Sequence, residues 1–84
     1  MGNLDILKKK ILYRSTRRGS KEMDLLLSDF VKKYIDSFNE TELKELDFML
    51  NIDDDILYKW YLNLDTKTLV PKNNVTKKLK GFKL

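Results

Sequence analysis

The chain has 84 residues, of which 42% are hydrophobic and 36% charged, and its formal net charge is +4. This length and composition predict one domain with a thin core, too small for an internal cavity that holds a large cofactor. The sequence contains neither cysteine nor histidine. This excludes disulfides, thiolate or imidazole metal sites, and catalysis by Ser-His-Asp or Cys-His groups.

The sequence also bears on location. No apolar run approaches the ~20 residues of a transmembrane helix. Lys8, Lys9 and Lys10 interrupt the apolar residues of the first stretch, which therefore lacks the core of a signal peptide, and no Arg-rich transit peptide is recognised. We accordingly expect a complete protein of a reducing cytoplasm.

The charge is distributed unevenly along the chain. Residues 1–21 carry seven basic and one acidic side chain, residues 22–65 carry four basic and twelve acidic, and residues 66–84 carry six basic and none acidic. Such asymmetry suggests a binding partner, although basic ends can also simply be solvated or lie against an acidic middle.

The first two helices follow from caps and apolar spacing. Asn3 is a candidate N-cap for a helix that ends near Arg14. A second helix starts after an N-cap at Gly19 or Ser20, and Gly19 indicates either a positive φ or a close backbone approach. Apolar residues then recur at helical spacing at Met23, Leu26, Leu27, Phe30, Val31 and Tyr34.

Two further helices have marked starts. Asn39 and Glu42 form a capping-box pattern, and Asp53 caps a fourth helix with Asp54 and Asp55 at its positive end. The expected apolar positions of the fourth helix are Ile56, Leu57, Trp60, Tyr61 and Leu64. Trp60 is expected in the core, whereas the role of Tyr58 stays open.

The sequence pattern that predicts helices becomes less clear after Asp65. Residues 66–74 contain the only proline, Pro71, and read as a loop. Val75, Leu79 and Phe82 suit either a short fifth helix or part of a mobile basic tail. The prediction is one all-α domain over residues 1–84, a bundle of four to five short helices with a compact core over about 3–65.

Charged clusters allow several kinds of site. The basic turn before the second helix is well placed to bind an anion, and a nucleic-acid-binding domain is the main rival to a protein-binding one. Glu22 and Asp24 follow that turn at once and would repel a phosphate backbone, which favours a protein partner. Neither this pair nor the aspartate triplet has the spacing of a catalytic dyad or a calcium loop.

Two motifs carry a resemblance to a known family. Residues 18–22 match R-G-x-x-E, continued by Asp24 and Phe30, and residues 53–60 match D-x-x-x-L-Y-x-W. In this order and spacing the chain resembles the SdhE family of succinate dehydrogenase assembly factors. The resemblance implies a helical bundle that promotes covalent attachment of FAD to the flavoprotein subunit of succinate dehydrogenase, and in bacteria of fumarate reductase.

The resemblance also implies site residues and partners. The partner-binding residues it implies are Arg17, Arg18, Gly19, Glu22 and Asp24. On this view the chain is a cytoplasmic protein of bacterial type, not an enzyme; it binds no metal and no FAD of its own, since FAD is attached to the partner. The alternative is a small basic nucleic-acid-binding or general protein-interaction domain. We expect Arg18→Ala and Glu22→Ala to keep the fold and lose the partner.

Overall fold

A computed structural model describes residues 3–16, 18–64 and 70–83 of the chain. The described residues form five α-helices, which confirms the predicted all-α fold. The helices are α1 (Asn3–Ser15), α2 (Lys21–Tyr34), α3 (Glu40–Leu50), α4 (Asp54–Tyr61) and α5 (Asn74–Gly81).

The starts of α2, α3 and α4 follow the predicted capping residues, whereas Asn3, the candidate cap of the first helix, is the first residue of α1. Of the two candidates before α2, Ser20 is the N-cap, and its hydroxyl accepts a hydrogen bond from the Met23 amide at 3.2 Å. Asn39 and Glu42 form the full capping box of α3, with bonds of 2.8 and 3.0 Å between each side chain and the other residue's amide. These bonds satisfy amide groups that a helix start leaves without partners.

The core lies between α2 and the helices around it. Among the described residues sixteen hydrophobic side chains are buried, including Met23, Phe30, Leu46, Leu57 and Leu79. Lys8 of α1 pairs with Asp36 just beyond the end of α2, whereas Arg14 near the end of α1 pairs with Asp47 of α3. The two bridges show that α1 runs antiparallel to α2, with its last turn beside the second half of α3.

The fifth helix, which the sequence left open, is present and packed. Asn73 and Thr76 form a second capping box at its start, with bonds of 2.9 and 3.0 Å. Val75 and Leu79 are fully buried. The core therefore extends further along the chain than the expected 3–65. The Tyr61 hydroxyl also donates to the Phe82 carbonyl, which ties the end of α5 to α4.

The end of α4 corrects one expectation. Leu64 was placed on the apolar face of this helix, but the helix ends at Tyr61 and Leu64 is 70% exposed. Asn63 has a φ of 60°, and the amides of Asn63 and Leu64 donate to the carbonyls of Trp60 and Lys59. This is the Schellman pattern that ends helices. Trp60 is half-buried and packs against the core, as expected.

Candidate functional site

The two sequence motifs meet in space through Arg18. Its Nε donates to Asp54 Oδ1 at 2.8 Å, and one terminal nitrogen forms an ion pair with the same oxygen. The other terminal nitrogen donates to the Leu50 carbonyl at 2.7 Å and to the Arg14 carbonyl at 3.3 Å. Only 8% of the Arg18 side chain is exposed. The guanidinium thus joins the last turns of α1 and α3 to the first residue of α4.

Gly19 completes this junction with its backbone. Its amide donates to Asp54 Oδ2, so that both oxygens of one carboxylate are bound by neighbouring residues of the turn. A Cβ at Gly19 would lie 3.3 Å from that oxygen, and the φ angle of Gly19 lies outside the left-handed region. Of the two roles that the sequence left for this glycine, the structure therefore favours the close approach.

Glu22, at the start of α2, differs from Arg18 in its surroundings. It is exposed, and it forms neither a hydrogen bond nor an ion pair with any residue that the structure describes. Asp24 is half-buried and likewise has no side-chain partner in the described ranges. Arg17 lies outside the described residues. The R-G-x-x-E motif therefore has one inward end, at Arg18, and one outward end, at Glu22.

A groove opens where the starts of α2 and α4 adjoin. This acidic groove has a volume of about 320 Å³ and is lined by Gly19, Ser20, Glu22, Asp53, Asp54, Asp55 and Tyr58. A second groove of about 210 Å³ is lined by Glu22, Leu25, Leu26, Tyr58, Tyr61 and Leu62. We call this the apolar groove. Glu22 and Tyr58 line both, so the two form one continuous surface.

The charges of the acidic groove are only partly compensated. Arg18 neutralises Asp54, and Lys59 pairs with Asp55 at 3.2 Å on the exposed surface. The Asp53 side chain accepts from the Asp55 amide at 2.9 Å but faces no cation among the described residues. Together with Glu22, Asp53 leaves the groove negative. The charged side chains that line this groove are therefore all carboxylates.

Sequence reasoning missed the apolar half of this surface. Leu25 is 50% and Leu62 is 42% exposed beside the carboxylates. Leu25 points away from the core, because the helical periodicity of α2 places Met23 and Leu26 on the inward side and Leu25 on the outward side. This outward position of Leu25 was the one feature of the sequence that could have predicted the apolar part of the surface. No feature of the sequence predicted the exposure of Leu62, since its placement depends on where α4 ends.

The site has little that would hold a metal or a dinucleotide. Within the described ranges no three histidine, cysteine, aspartate or glutamate side chains are grouped as metal ligands. Carboxylates at the groove would repel the pyrophosphate of FAD. None of the described helices has the length and apolar character needed to cross a bilayer.

Fold and site together define a small all-α domain with a mixed carboxylate and apolar groove, a surface of the kind that binds another protein. The sequence comparison supplies the family. Residues 9–83 match the family described as flavinator of succinate dehydrogenase, and the chain belongs to that family. The match covers most of the chain and confirms the resemblance inferred from the two motifs.

Several relatives carry the name "succinate dehydrogenase assembly factor 2, mitochondrial". The one from Scheffersomyces stipitis is 41% identical over 78 residues, covering 92% of this chain and 52% of the relative. The one from Saccharomyces cerevisiae is 44% identical over 78 residues, covering 92% and 48%. The one from Danio rerio is 36% identical over 81 residues, covering 94% and 51%. The chain thus spans about half the length of these relatives.

These names correct the expected location. The prediction of a cytoplasmic protein is wrong, because the relatives are named as mitochondrial proteins. They come from yeasts and a fish, so they give no support to the bacterial type either. The absence of a recognisable targeting pattern in the first residues was a poor guide.

Proposed function

We propose that this chain binds the flavoprotein subunit of succinate dehydrogenase in mitochondria and promotes the covalent attachment of FAD to it. The observation that carries the proposal is membership, over residues 9–83, of the family described as flavinator of succinate dehydrogenase. The names of the relatives support the same role. Fumarate reductase, which the resemblance also implied, has no support in those names.

The chemistry of flavin attachment assigns the reacting groups to the partner. In the reaction that the resemblance implies, a histidine attacks the 8α-methyl carbon of the flavin. This chain has no histidine, so it is not the acceptor. We propose that it acts without catalytic residues, by binding the flavoprotein conformer in which FAD and the acceptor are aligned. A binder shifts such an equilibrium by its differential affinity, and alignment can remove several kcal/mol from a barrier.

The groove suggests how the partner is held. Glu22 and Asp53 offer carboxylates without a cation among the described residues, and Leu25 and Leu62 offer apolar surface beside them. This pattern suits a basic side chain of the flavoprotein next to an apolar one. In this proposal Glu22 contacts the partner, Asp24 adds negative charge nearby, and Gly19 lets the turn lie close to Asp54. Arg18 positions the surface without touching the partner.

FAD itself is proposed to stay on the partner. The carboxylates that line the acidic groove disfavour a pyrophosphate, and the three scattered glycines cannot form a dinucleotide-binding G-x-G-x-x-G turn. The same carboxylates disfavour the phosphate backbone of a nucleic acid at this surface.

Co-expression tests the proposal directly. The flavoprotein subunit is expressed with and without this chain, and covalent flavin is read as fluorescence on a denaturing gel. We expect fluorescence to rise several-fold when the chain is present. Equal fluorescence in both samples would refute the proposed function.

A pair of variants tests the groove. Glu22→Gln removes the unpaired first-turn carboxylate of α2, and Glu40→Gln removes an exposed first-turn carboxylate of α3 outside the groove. We expect Glu22→Gln to weaken flavoprotein binding about tenfold, as for a lost charge-assisted hydrogen bond, with little change in thermal unfolding. Glu40→Gln should bind like the parent chain. Equal losses in the two variants would remove the groove from the interface.

A further inference from the structure

The outer surface of α5 and of the segments that flank it is rich in lysine. Residues 70–83 contain five lysines and no carboxylate. The α5 helix buries Val75, Thr76 and Leu79, and Lys77 and Lys78 lie on its exposed side, whereas half-buried Lys80 donates to the Trp60 carbonyl. We use the name lysine face for six exposed residues of α2, α5 and the segments that flank α5: Lys32, Lys33, Lys72, Lys77, Lys78 and Lys83.

The two parts of the lysine face are brought together by an aromatic ring. Lys33 Nζ lies 5.6 Å from the centre of the Tyr34 ring, and Lys78 Nζ lies 5.1 Å from the same centre. The end of α2 and the outer side of α5 therefore form one continuous positive surface. The groove lies at the other end of α2, roughly 16 Å away along the helix axis between Glu22 and Lys33.

The positive charge of this surface is uncompensated. None of the six lysines forms an ion pair with another residue of the described ranges. Elsewhere in the described chain Lys8, Lys10, Arg14, Arg18, Lys44 and Lys59 have carboxylate partners. Lys9 and Lys21 are exposed and unpaired within the described ranges as well, but they are not grouped with the other lysines. Gathering like charges opposes folding, and the apolar packing of α5 does not require it. Such a surface is explained by an anionic ligand outside the chain.

The aromatic rings of this region argue against a nucleic acid as that ligand. Proteins that bind single strands stack bases on open aromatic faces. Here Lys80 Nζ lies 4.3 Å from the centre of the Trp60 ring, and Tyr34 is stacked on Phe38 with their ring centres 5.9 Å apart. Neither ring leaves both faces open to a base.

The shape of the surface and its lysine composition favour a flat, diffuse anion. The outer side of a helix is a convex ridge, which touches a plane more readily than it encloses a peptide. Lysine presents a hydrated point charge on a flexible stem, whereas bidentate recognition of single carboxylates or phosphates is the property of arginine, and residues 70–83 contain no arginine. We propose that the lysine face binds the surface of a bilayer that contains anionic lipid.

The lysine face is separate from the proposed flavoprotein contact, since none of its six lysines lines either groove. Each lysine near an anionic bilayer raises the partition coefficient of a protein onto that bilayer about fivefold. Half-buried Trp60 lines a shallow depression of about 270 Å³ with Lys72, Thr76, Lys77 and Lys80. An indole beside cations suits the headgroup region of a bilayer.

Vesicle binding tests the proposal. The full chain is sedimented with vesicles of phosphatidylcholine alone and of phosphatidylcholine mixed with phosphatidylserine. We expect binding to the mixed vesicles only, weakening as salt rises. The variant with Lys72→Gln and Lys77→Gln should bind the mixed vesicles roughly 25-fold more weakly. Neither lysine has a carboxylate partner in the described ranges, so thermal unfolding should be unchanged.

A charge-matched control separates the face from net charge. Lys9→Gln with Lys21→Gln lowers the net charge equally at exposed positions of α1 and the start of α2, and should bind like the parent chain. Equal weakening in both double variants would overturn the proposal, as would equal binding to neutral vesicles. Face-dependent binding to poly-glutamate or to an oligonucleotide, with none to the mixed vesicles, would overturn it in favour of a protein or a nucleic acid.

Discussion

The two ends of α2 use charge in opposite ways. At its start, Arg18, Asp54 and the Gly19 amide place opposite charges and dipoles within hydrogen-bonding distance, with the guanidinium largely buried. At its end, Lys33 and Lys78 bring like charges to one ring while both remain exposed. The Arg18–Asp54 pair holds the fold together at the first end, whereas the two lysines at the second end have no carboxylate partner among the described residues.

This difference determines whether a substitution changes the stability of the chain or its binding to a partner. A change at Arg18 removes donors from one carboxylate and from backbone carbonyls that α1 and α3 leave unsatisfied at their last turns. A change at an exposed lysine removes a solvated charge. We therefore expect a change at Arg18 to lower stability, and changes at Glu22 or at the exposed lysines to lower the affinity for a partner.

The largest effect should come from Arg18→Ala. We expect the free energy of unfolding to fall by about 3 kcal/mol, since a largely buried carboxylate loses its cation. Urea denaturation measures it. The sequence alone had led us to expect this variant to keep its stability. Lys59→Ala, which breaks the exposed pair with Asp55, is the control and should change stability by less than about 1 kcal/mol. A loss at Arg18 as small as the control's would show that the junction is not structural.

The helix starts were predictable because their signals are local. Ser20, Asn39 and Asp53 each act on an amide two or three residues away, within reach of pattern reasoning. The contact of Arg18 with Asp54 spans 36 residues and has no local signature. One local signal was overlooked: Asn73 and Thr76 form a capping box without a glutamate, and it marks the start of α5.

The groove was predicted in part for the same reason. Gly19 and Glu22 were singled out through their motif, but the burial of the Arg18 guanidinium was not predicted, because it depends on tertiary contacts. The apolar groove was missed because Leu62 becomes exposed only through the way α4 ends. Pattern reasoning thus singled out residues that line the groove, and it did not predict that the Arg18 guanidinium is largely buried.

Leu79→Ala tests whether the lysine end belongs to the cooperative core. Leu79 is fully buried in α5, and its truncation should cost about 2.5 kcal/mol of unfolding free energy. Lys77→Ala, in the same helix and exposed, should change it by less than about 0.5 kcal/mol. If Leu79→Ala also has no effect on the urea midpoint, α5 unfolds separately and the lysine face is not fixed to the core.

Gly19, just before α2, and Gly81, at the end of α5, allow the effects of two glycine-to-alanine substitutions on stability to be compared. A Cβ at Gly19 meets Asp54 Oδ2 at 3.3 Å, whereas a Cβ at Gly81 meets nothing within 4 Å. Gly19→Ala should therefore lower the unfolding free energy by about 1 kcal/mol. Gly81→Ala, at the last residue of α5, should raise it by up to about 0.8 kcal/mol through helix propensity. Effects of equal sign in thermal and urea unfolding would contradict the close approach at Gly19.

Asn63→Gly should give the smallest change, and in the stabilising direction. Asn63 has a φ of 60° and ends α4, where glycine adopts the left-handed conformation without a Cβ penalty. We expect a gain of about 0.5 kcal/mol, because the greater freedom of glycine in the unfolded chain offsets part of the relief. Asn51→Gly is the control at the end of α3, with a φ of −86° and an amide oxygen that accepts from Arg14 at 2.9 Å. It should destabilise the chain, and a loss in both variants would show that the turn at Asn63 is not under backbone strain.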